Sequence, residues 1–222
     1  MCSRNEEKIK EQLATIKGVK TKALAIDLGN QHSIAAYREI LATECEGLDI
    51  ALAFLNAGSM TVGPVDLISD KQLEMIITLN GLHVVYMAKV LLEGMMKRNS
   101  QDKNIRSALV VTSSGVANFP IPGLISYSTS KILVSRFCQA TAEELRDKRI
   151  DVMTWEAGPI KTKLNKGEGP MVLPCKSAVN GCFSKIGFES KTDGPWLHEL
   201  LMVPAPLFSL TLFGSKIASK TR

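Results

Sequence analysis

The chain has 222 residues, 45% of them hydrophobic, and a formal net charge of +5. That length suits one α/β domain with a substantial core, while the modest charge, gathered mildly in Lys8 to Lys22 and Lys216 to Arg222 without interleaved aromatics, speaks against nucleic-acid binding. Five scattered cysteines with no Cys-x-x-Cys or His/Cys metal spacing fit reduced thiols, and the start Met-Cys-Ser-Arg-Asn-Glu-Glu-Lys lacks the apolar stretch of a secretory signal.

Asn5 to Ile16 reads as a charged amphipathic helix with Ile9, Leu13 and Ile16 on one stripe. Lys22 to Asp27 predicts a short strand ending in an acid, and His32 to Cys45 a second helix. Leu48 to Leu55 is a nearly continuous apolar run stopped by Asn56-Ala57-Gly58, the pattern of a strand buried on both faces of a parallel sheet. Ser69 offers an N-cap to a helical pattern from Asp70 to about Arg98. Ser107 to Thr112 predicts a buried strand, Tyr127 to Lys148 a helix and Ile150 to Trp155 another strand. Lys161 to Pro174, rich in Gly, Lys and Pro, reads as a mobile loop, and Ser177 to Ile186 as a short helix. Trp196 to Phe213 is apolar but interrupted by His198, Glu199, Pro204 and Pro206. It suits a partly buried or membrane-surface segment better than a spanning helix.

Alternating strands and helices predict a doubly wound, Rossmann-type, mostly parallel sheet with helices on both faces. In such sheets the site lies beyond the strands' C-terminal ends. Asp27, Asn56-Ala57-Gly58, Ser114 and Gly158-Pro159 all follow predicted strands and so converge on that edge. Tyr127 and Lys131, four positions apart, share a helix face. A nearby ammonium favours phenolate and lowers a tyrosine pKa, which suits proton exchange with a carbonyl or alcohol oxygen. A serine hydroxyl at the end of the preceding strand can hold the same oxygen, and its spacing to Tyr127 favours Ser114 over Ser113. His32, His83 and His198 are isolated and suit packing or surface roles rather than metal binding.

Asn56-Ala57-Gly58, Asn80, Ser114, Tyr127-x-x-x-Lys131 and Gly158-Pro159-x-x-Thr162, in this order and spacing, resemble the short-chain dehydrogenase/reductase family. The likeness covers Ser3 to His198 and implies one domain over residues 1–222, with 161–222 as substrate loop and apolar tail. Ser113 to Pro122, Gly187 to His198 and Ser3 to Lys10 look like the branch of 17β-hydroxysteroid dehydrogenases and very-long-chain 3-oxoacyl-CoA reductases. The resemblance implies Tyr127 as general acid/base, Lys131 on the nicotinamide ribose, Ser114 on the substrate carbonyl, and Asn80 interrupting its helix to support a water beside Lys131. It also implies a cofactor wall of Asp27, Asn56, Ala57, Gly58, Gly158, Ile160 and Thr162. Arg4, after the family's second strand, would pair with a 2′-phosphate, so NADPH is expected over NADH. The implied substrate is a lipid-like ketone, a steroid or a 3-oxoacyl-CoA. The implied location is the cytosolic face of the endoplasmic reticulum membrane, with peripheral contact through 196–213 and room for a homodimer; otherwise the protein is cytoplasmic.

The chain departs from the family pattern in two places. Ala157 stands where proline usually precedes the glycine. The family's first strand and its turn Thr-Gly-x-x-x-Gly-x-Gly, which hold the pyrophosphate, do not occur in this sequence. Three readings stay open: an active reductase, a catalytically inactive homologue that at most binds, and a piece of a longer protein whose glycine-rich segment precedes Met1. The last best explains the gap. The second and third family strands are then expected to separate from the sheet or to re-pair, and the chain as written to bind NADPH weakly or undetectably.

Overall fold

The structure is a computed structural model, and it describes residues 1–162, 165, 167–169 and 171–202. In chain order the strands are β1 (Cys2–Ser3), β2 (Leu24–Ala25), β3 (Leu52–Leu55), β4 (Ser107–Thr112), β5 (Ile150–Trp155), β6 (Ile160–Lys161), β7 (Leu173–Pro174) and β8 (Lys191–Thr192). The helices are α1 (Glu6–Ala14), α2 (Ile34–Glu44), α3 (Asp70–Ile77), α4 (His83–Gln101), α5 (Ile125–Glu144), α6 (Cys175–Phe183) and α7 (Trp196–Met202). Strands β3, β4, β5 and β8 form one all-parallel sheet in that order, a Rossmann-type arrangement with helices on both faces.

The pleat divides the core in two. Leu55, Leu109, Val111 and Val152 point to the face covered by α4 and α5, where they join Leu91, Met95, Val134 and Cys138. Val110, Met153 and Trp155 point to the opposite face and meet Ala178 and Cys182 of α6. The expectation that β3 is buried on both faces does not hold. Leu52 and Phe54 are 48% and 44% exposed, although the Phe183 ring of α6 stacks on Phe54 at 5.3 Å. Among the described residues β3 is paired on one side only.

β1 and β2 pair with each other, in parallel, as a separate two-stranded sheet. This is the separation expected from the sequence. The Lys22 to Asp27 strand shrinks to Leu24–Ala25, since Asp27 caps a 3₁₀ turn, Leu28–Asn30, by accepting from Gly29 N at 3.0 Å. The loop expected over 161–174 is held at both ends by the parallel β6–β7 pair. Positions 203–213 of the apolar tail and the basic end at 216–222 lie outside the described residues.

Helix α3 starts with a capping box. Ser69 accepts from Gln72 N, and the Gln72 side chain returns to Ser69 N. A π-helical turn, Thr78–Leu82, then joins α3 to α4. The resulting 32-residue helix is long and apolar enough to cross a membrane by length and composition, but 61% of its apolar window is buried within the protein. It is a core helix, buried against the sheet through Val84, Met87, Leu91 and Met95.

Candidate active site

The parallel strands bring three loops to one edge. After β3 comes Asn56 to Ser59, after β4 comes Ser113 to Asn118, and after β5 comes Glu156 to Pro159. Neighbouring loops are tied to each other: Thr112 Oγ1 donates to Asn56 Oδ1 at 2.7 Å. Ser113 N donates to Trp155 O at 2.8 Å, and Gly115 N to Ala157 O at 3.1 Å. Helix α5 runs beneath this edge and presents Tyr127 and Lys131.

Lys131 is 4% exposed. Its Nζ donates to Thr112 O at 2.9 Å and lies 5.8 Å from the Tyr127 ring centroid. The Ser114 hydroxyl lies close enough to the Tyr127 phenol to favour its charged form. Ser113 turns inward instead and donates to Lys131 O at 2.9 Å. The two adjacent serines are thereby separated in role, with Ser113 fixing the helix and Ser114 facing the phenol.

Asn80 sits in the middle of the π turn and is fully buried. Its Oδ1 accepts from Ser59 N at 2.9 Å, while its Nδ2 donates to Ser59 O at 2.8 Å and to Ser130 Oγ at 3.3 Å. The extra residue of the π turn opens the helix where an asparagine side chain inserts. Gly58 passes between Asn80 and Lys131. A Cβ there would lie 3.1 Å from Asn80 Oδ1 and 3.5 Å from Lys131 Nζ, so a larger residue would press on both. Asn80→Ala leaves the Ser59 N–H and C=O without their partners. We expect a loss of about 1–3 kcal/mol in chemical denaturation and a loosened 56–59 loop, visible as faster amide exchange at Ser59.

Burial dominates the electrostatics. It raises the Tyr127 phenol above its ordinary value of 10.0, and the Ser114 hydroxyl pulls it partway back. It lowers Lys131 from 10.5 to about 8. The expected lowering of Tyr127 by Lys131 is therefore not found: the ammonium bonds Thr112 O, and desolvation of the phenolate sets the direction. The outcome is a phenol that stays protonated at neutral pH, with the Ser114 hydroxyl beside it.

The other candidate residues divide by location. Arg4, exposed, directly follows β1, while Asp27 lies beyond β2 as the cap of the turn Leu28–Asn30. Gly158 faces the α7 residue His198, whose Nδ1 lies 2.6 Å from where a Gly158 Cβ would stand. His198 Nε2 lies 3.1 Å from Met171 O, leaving Nδ1 buried without a hydrogen bond. Ile160 is in β6, and the Thr162 hydroxyl accepts from Asn165 N at 3.1 Å. Sequence reasoning missed the supporting contacts of Ser59, Thr112 and Ser130. It also missed Glu156, a carboxylate 1% exposed at the end of β5, whose only sequence signal is an acid placed directly after an apolar strand.

The nicotinamide end of a dinucleotide fits these residues. A phenol and an ammonium one helical turn apart form a donor set that suits ribose hydroxyls, and the Gly58 position carries no side chain beside Lys131. No glycine-rich turn leading into a helix lies at this edge among the described residues.

A family model described as short chain dehydrogenase matches residues 1–172. The chain belongs to the short-chain dehydrogenase family. Among curated relatives, it is 28% identical over 211 residues to the very-long-chain 3-oxoacyl-CoA reductase of Macaca fascicularis, covering 90% of this chain and 64% of that protein. It is 27% identical to the 17-beta-hydroxysteroid dehydrogenase type 3 of Danio rerio, covering 90% and 66%. The chain thus spans just under two thirds of the length of these short-chain dehydrogenase relatives. A solved 7beta-hydroxysteroid dehydrogenase superposes with a TM-score of 0.80 at 19% identity, covering 99% of this chain and 84% of that one. At that identity the superposition establishes the shared fold.

Proposed function

We propose that this chain carries the reducing site of an NADPH-dependent carbonyl reductase acting on a lipid-like ketone, a steroid or a 3-oxoacyl-CoA, at the cytosolic face of the endoplasmic reticulum membrane. The carrying observation is the Tyr127 phenol, kept protonated by burial, with the Ser114 hydroxyl beside it and the buried Lys131 one turn along the same helix. A bound nicotinamide dinucleotide supplies the hydride. Ser114 donates a hydrogen bond to the substrate carbonyl oxygen, which places the reacting carbon and disperses charge as the oxygen becomes alkoxide-like. Tyr127 Oη then delivers its proton to that oxygen as general acid. Lys131 stabilises the phenolate left behind, and Asn80 holds the 56–59 loop that closes the site. Arg4, exposed after β1, supports a preference for the 2′-phosphate of NADPH.

A second reading, a homologue that binds without turnover, is favoured by one observation: β1 and β2 stand apart from the four-stranded sheet. Steady-state assays of the 222-residue chain at millimolar NADPH or NADH, with a ketosteroid or a 3-oxoacyl-CoA, separate the two. The reductase reading expects carbonyl-dependent cofactor oxidation that is faster with NADPH, and loss of that preference in Arg4→Ala. Absence of carbonyl-dependent oxidation at saturating cofactor overturns it in favour of the binding protein.

A further inference from the structure

We propose that Glu156 is a positioning residue that sets Ser114 against Tyr127; this rests on the roles given to those two residues above. Glu156 follows β5 directly, and its side chain joins three elements. One carboxylate oxygen accepts from Ser135 Oγ on α5, whose hydroxyl in turn accepts from Gln139 Nε2 at 2.9 Å. The other accepts from Asn118 Nδ2 at 2.5 Å and pairs with Lys191 Nζ of β8 at 2.8 Å. Its backbone N donates to Thr192 O at 2.8 Å.

These contacts bracket Ser114. On either side of it, Ser113 N and Gly115 N donate to Trp155 O and Ala157 O, the two neighbours of Glu156. Ser114 also caps the 3₁₀ turn Gly115–Asn118, whose last residue is the one the carboxylate grips. Ser135 lies eight residues after Tyr127 on α5, about two helical turns along. The same carboxylate therefore fixes the serine loop and the tyrosine helix to one point. A buried charge is expensive, and an apolar side chain of similar size generally serves a core as well or better. What an apolar residue lacks is the ability to accept from Asn118 and Ser135 together. The charged groups acting around this point are Lys191, Asp193 and Glu199, with Asp193 pushed up to about 6 by its own burial and the neighbouring Glu156.

The test follows the Tyr127 phenol by NMR of 13Cζ-tyrosine in the full chain, with Tyr127→Phe identifying its resonance. Glu156→Leu frees Asn118 and lets the Ser114 hydroxyl move away from the phenol. We expect the Tyr127 titration to rise by about one pH unit, and its neutral-pH resonance to move toward that of a phenol without a neighbouring hydroxyl. The neutral-pH shift decides the matter where alkaline unfolding cuts the titration short. Glu156→Gln keeps an oxygen to accept from Asn118 and turns its NH2 to donate to Ser135 Oγ, so both links survive and Tyr127 should stay closer to the parental values than in Glu156→Leu. Met153→Ala, a core truncation on the sheet face covered by α6, should lower stability without moving Tyr127. Asn118→Ala removes the link from the exposed side, so it decides the question if Glu156→Leu fails to fold. An unmoved Tyr127 resonance in a folded Glu156→Leu, or in Asn118→Ala, overturns the proposal. Since the readout needs no turnover, a moved resonance in an inactive chain would keep the positioning role and discard only the reductase reading.

Discussion

Tyr127→Phe lowers carbonyl-dependent NADPH oxidation by about 10²–10⁴-fold, the range general acid catalysis contributes, while cofactor affinity changes little. The substitution removes one oxygen and keeps the ring. Burial around α5 is preserved, and the Lys131 contact with Thr112 O, 2.9 Å long, does not involve the phenol. Ser114 loses its partner, but it sits where solvent or substrate can replace it. The loss should therefore fall on kcat rather than on KM, because the proton is needed only as charge develops on the substrate oxygen. Steady-state kinetics on parent and variant, with fluorescence titration of NADPH, check both halves. Equal kcat would remove Tyr127 from the chemistry.

Lys131→Met should make the protein more stable and less active at once. Lys131 is buried and lowered to about 8, so the folded state holds its proton less tightly than the unfolded chain does. Below pH 8 both states are protonated, and the full cost of the buried ammonium is present. Between pH 8 and the ordinary lysine value of 10.5 the folded state sheds its proton first. Over that window this group's contribution to stability rises with pH. An unbranched apolar side chain removes the cost. It also leaves Thr112 O unpaired, which takes back about 1 kcal/mol. The net expectation at pH 7 is a gain of about 1–2 kcal/mol, or roughly 2–8 °C in Tm for a chain of this size. The gain should shrink as the pH approaches 10. Turnover should fall by about 10²-fold or more, for want of a cation to hold the phenolate. Thermal melts at pH 7 and pH 10, beside the same kinetic assay, read out both. A lower Tm at pH 7 would mean that Lys131 is a net structural support.

Much of this arrangement is legible in the chain because it rests on local rules. Ser107 to Thr112 and Ile150 to Trp155 are read to the residue, since continuous apolar runs in central strands leave no ambiguity about their ends. Ser69 declares the start of α3 through its capping box. Tyr127, Lys131 and Ser114 can be picked out by spacing and Asn80 by the family resemblance, and the structure brings them to one sheet edge. What sequence spacing does not carry is the balance of competing terms. The Tyr127–Lys131 spacing predicts a lowered phenol, yet three-dimensional burial outweighs the cation. The run Leu48 to Leu55 predicts a doubly covered strand, yet one face of β3 keeps Leu52 and Phe54 largely exposed beside a single ring contact from Phe183 of α6. Glu156 shows the same limit. One acid after a strand means little until Asn118, Ser135 and Lys191, far apart in the chain, are seen to converge on it.

The most direct measurement supplies NADPH deuterated at the transferable position together with a 3-oxoacyl-CoA or a ketosteroid, and detects the alcohol by mass spectrometry. Millimolar cofactor offsets weak binding. The account predicts an alcohol carrying one deuterium at the former carbonyl carbon, formed by the parent chain and reduced at least 100-fold, on the order of the general-acid effect, in Tyr127→Phe. No deuterated alcohol from the parent, or equal amounts from both, would contradict it.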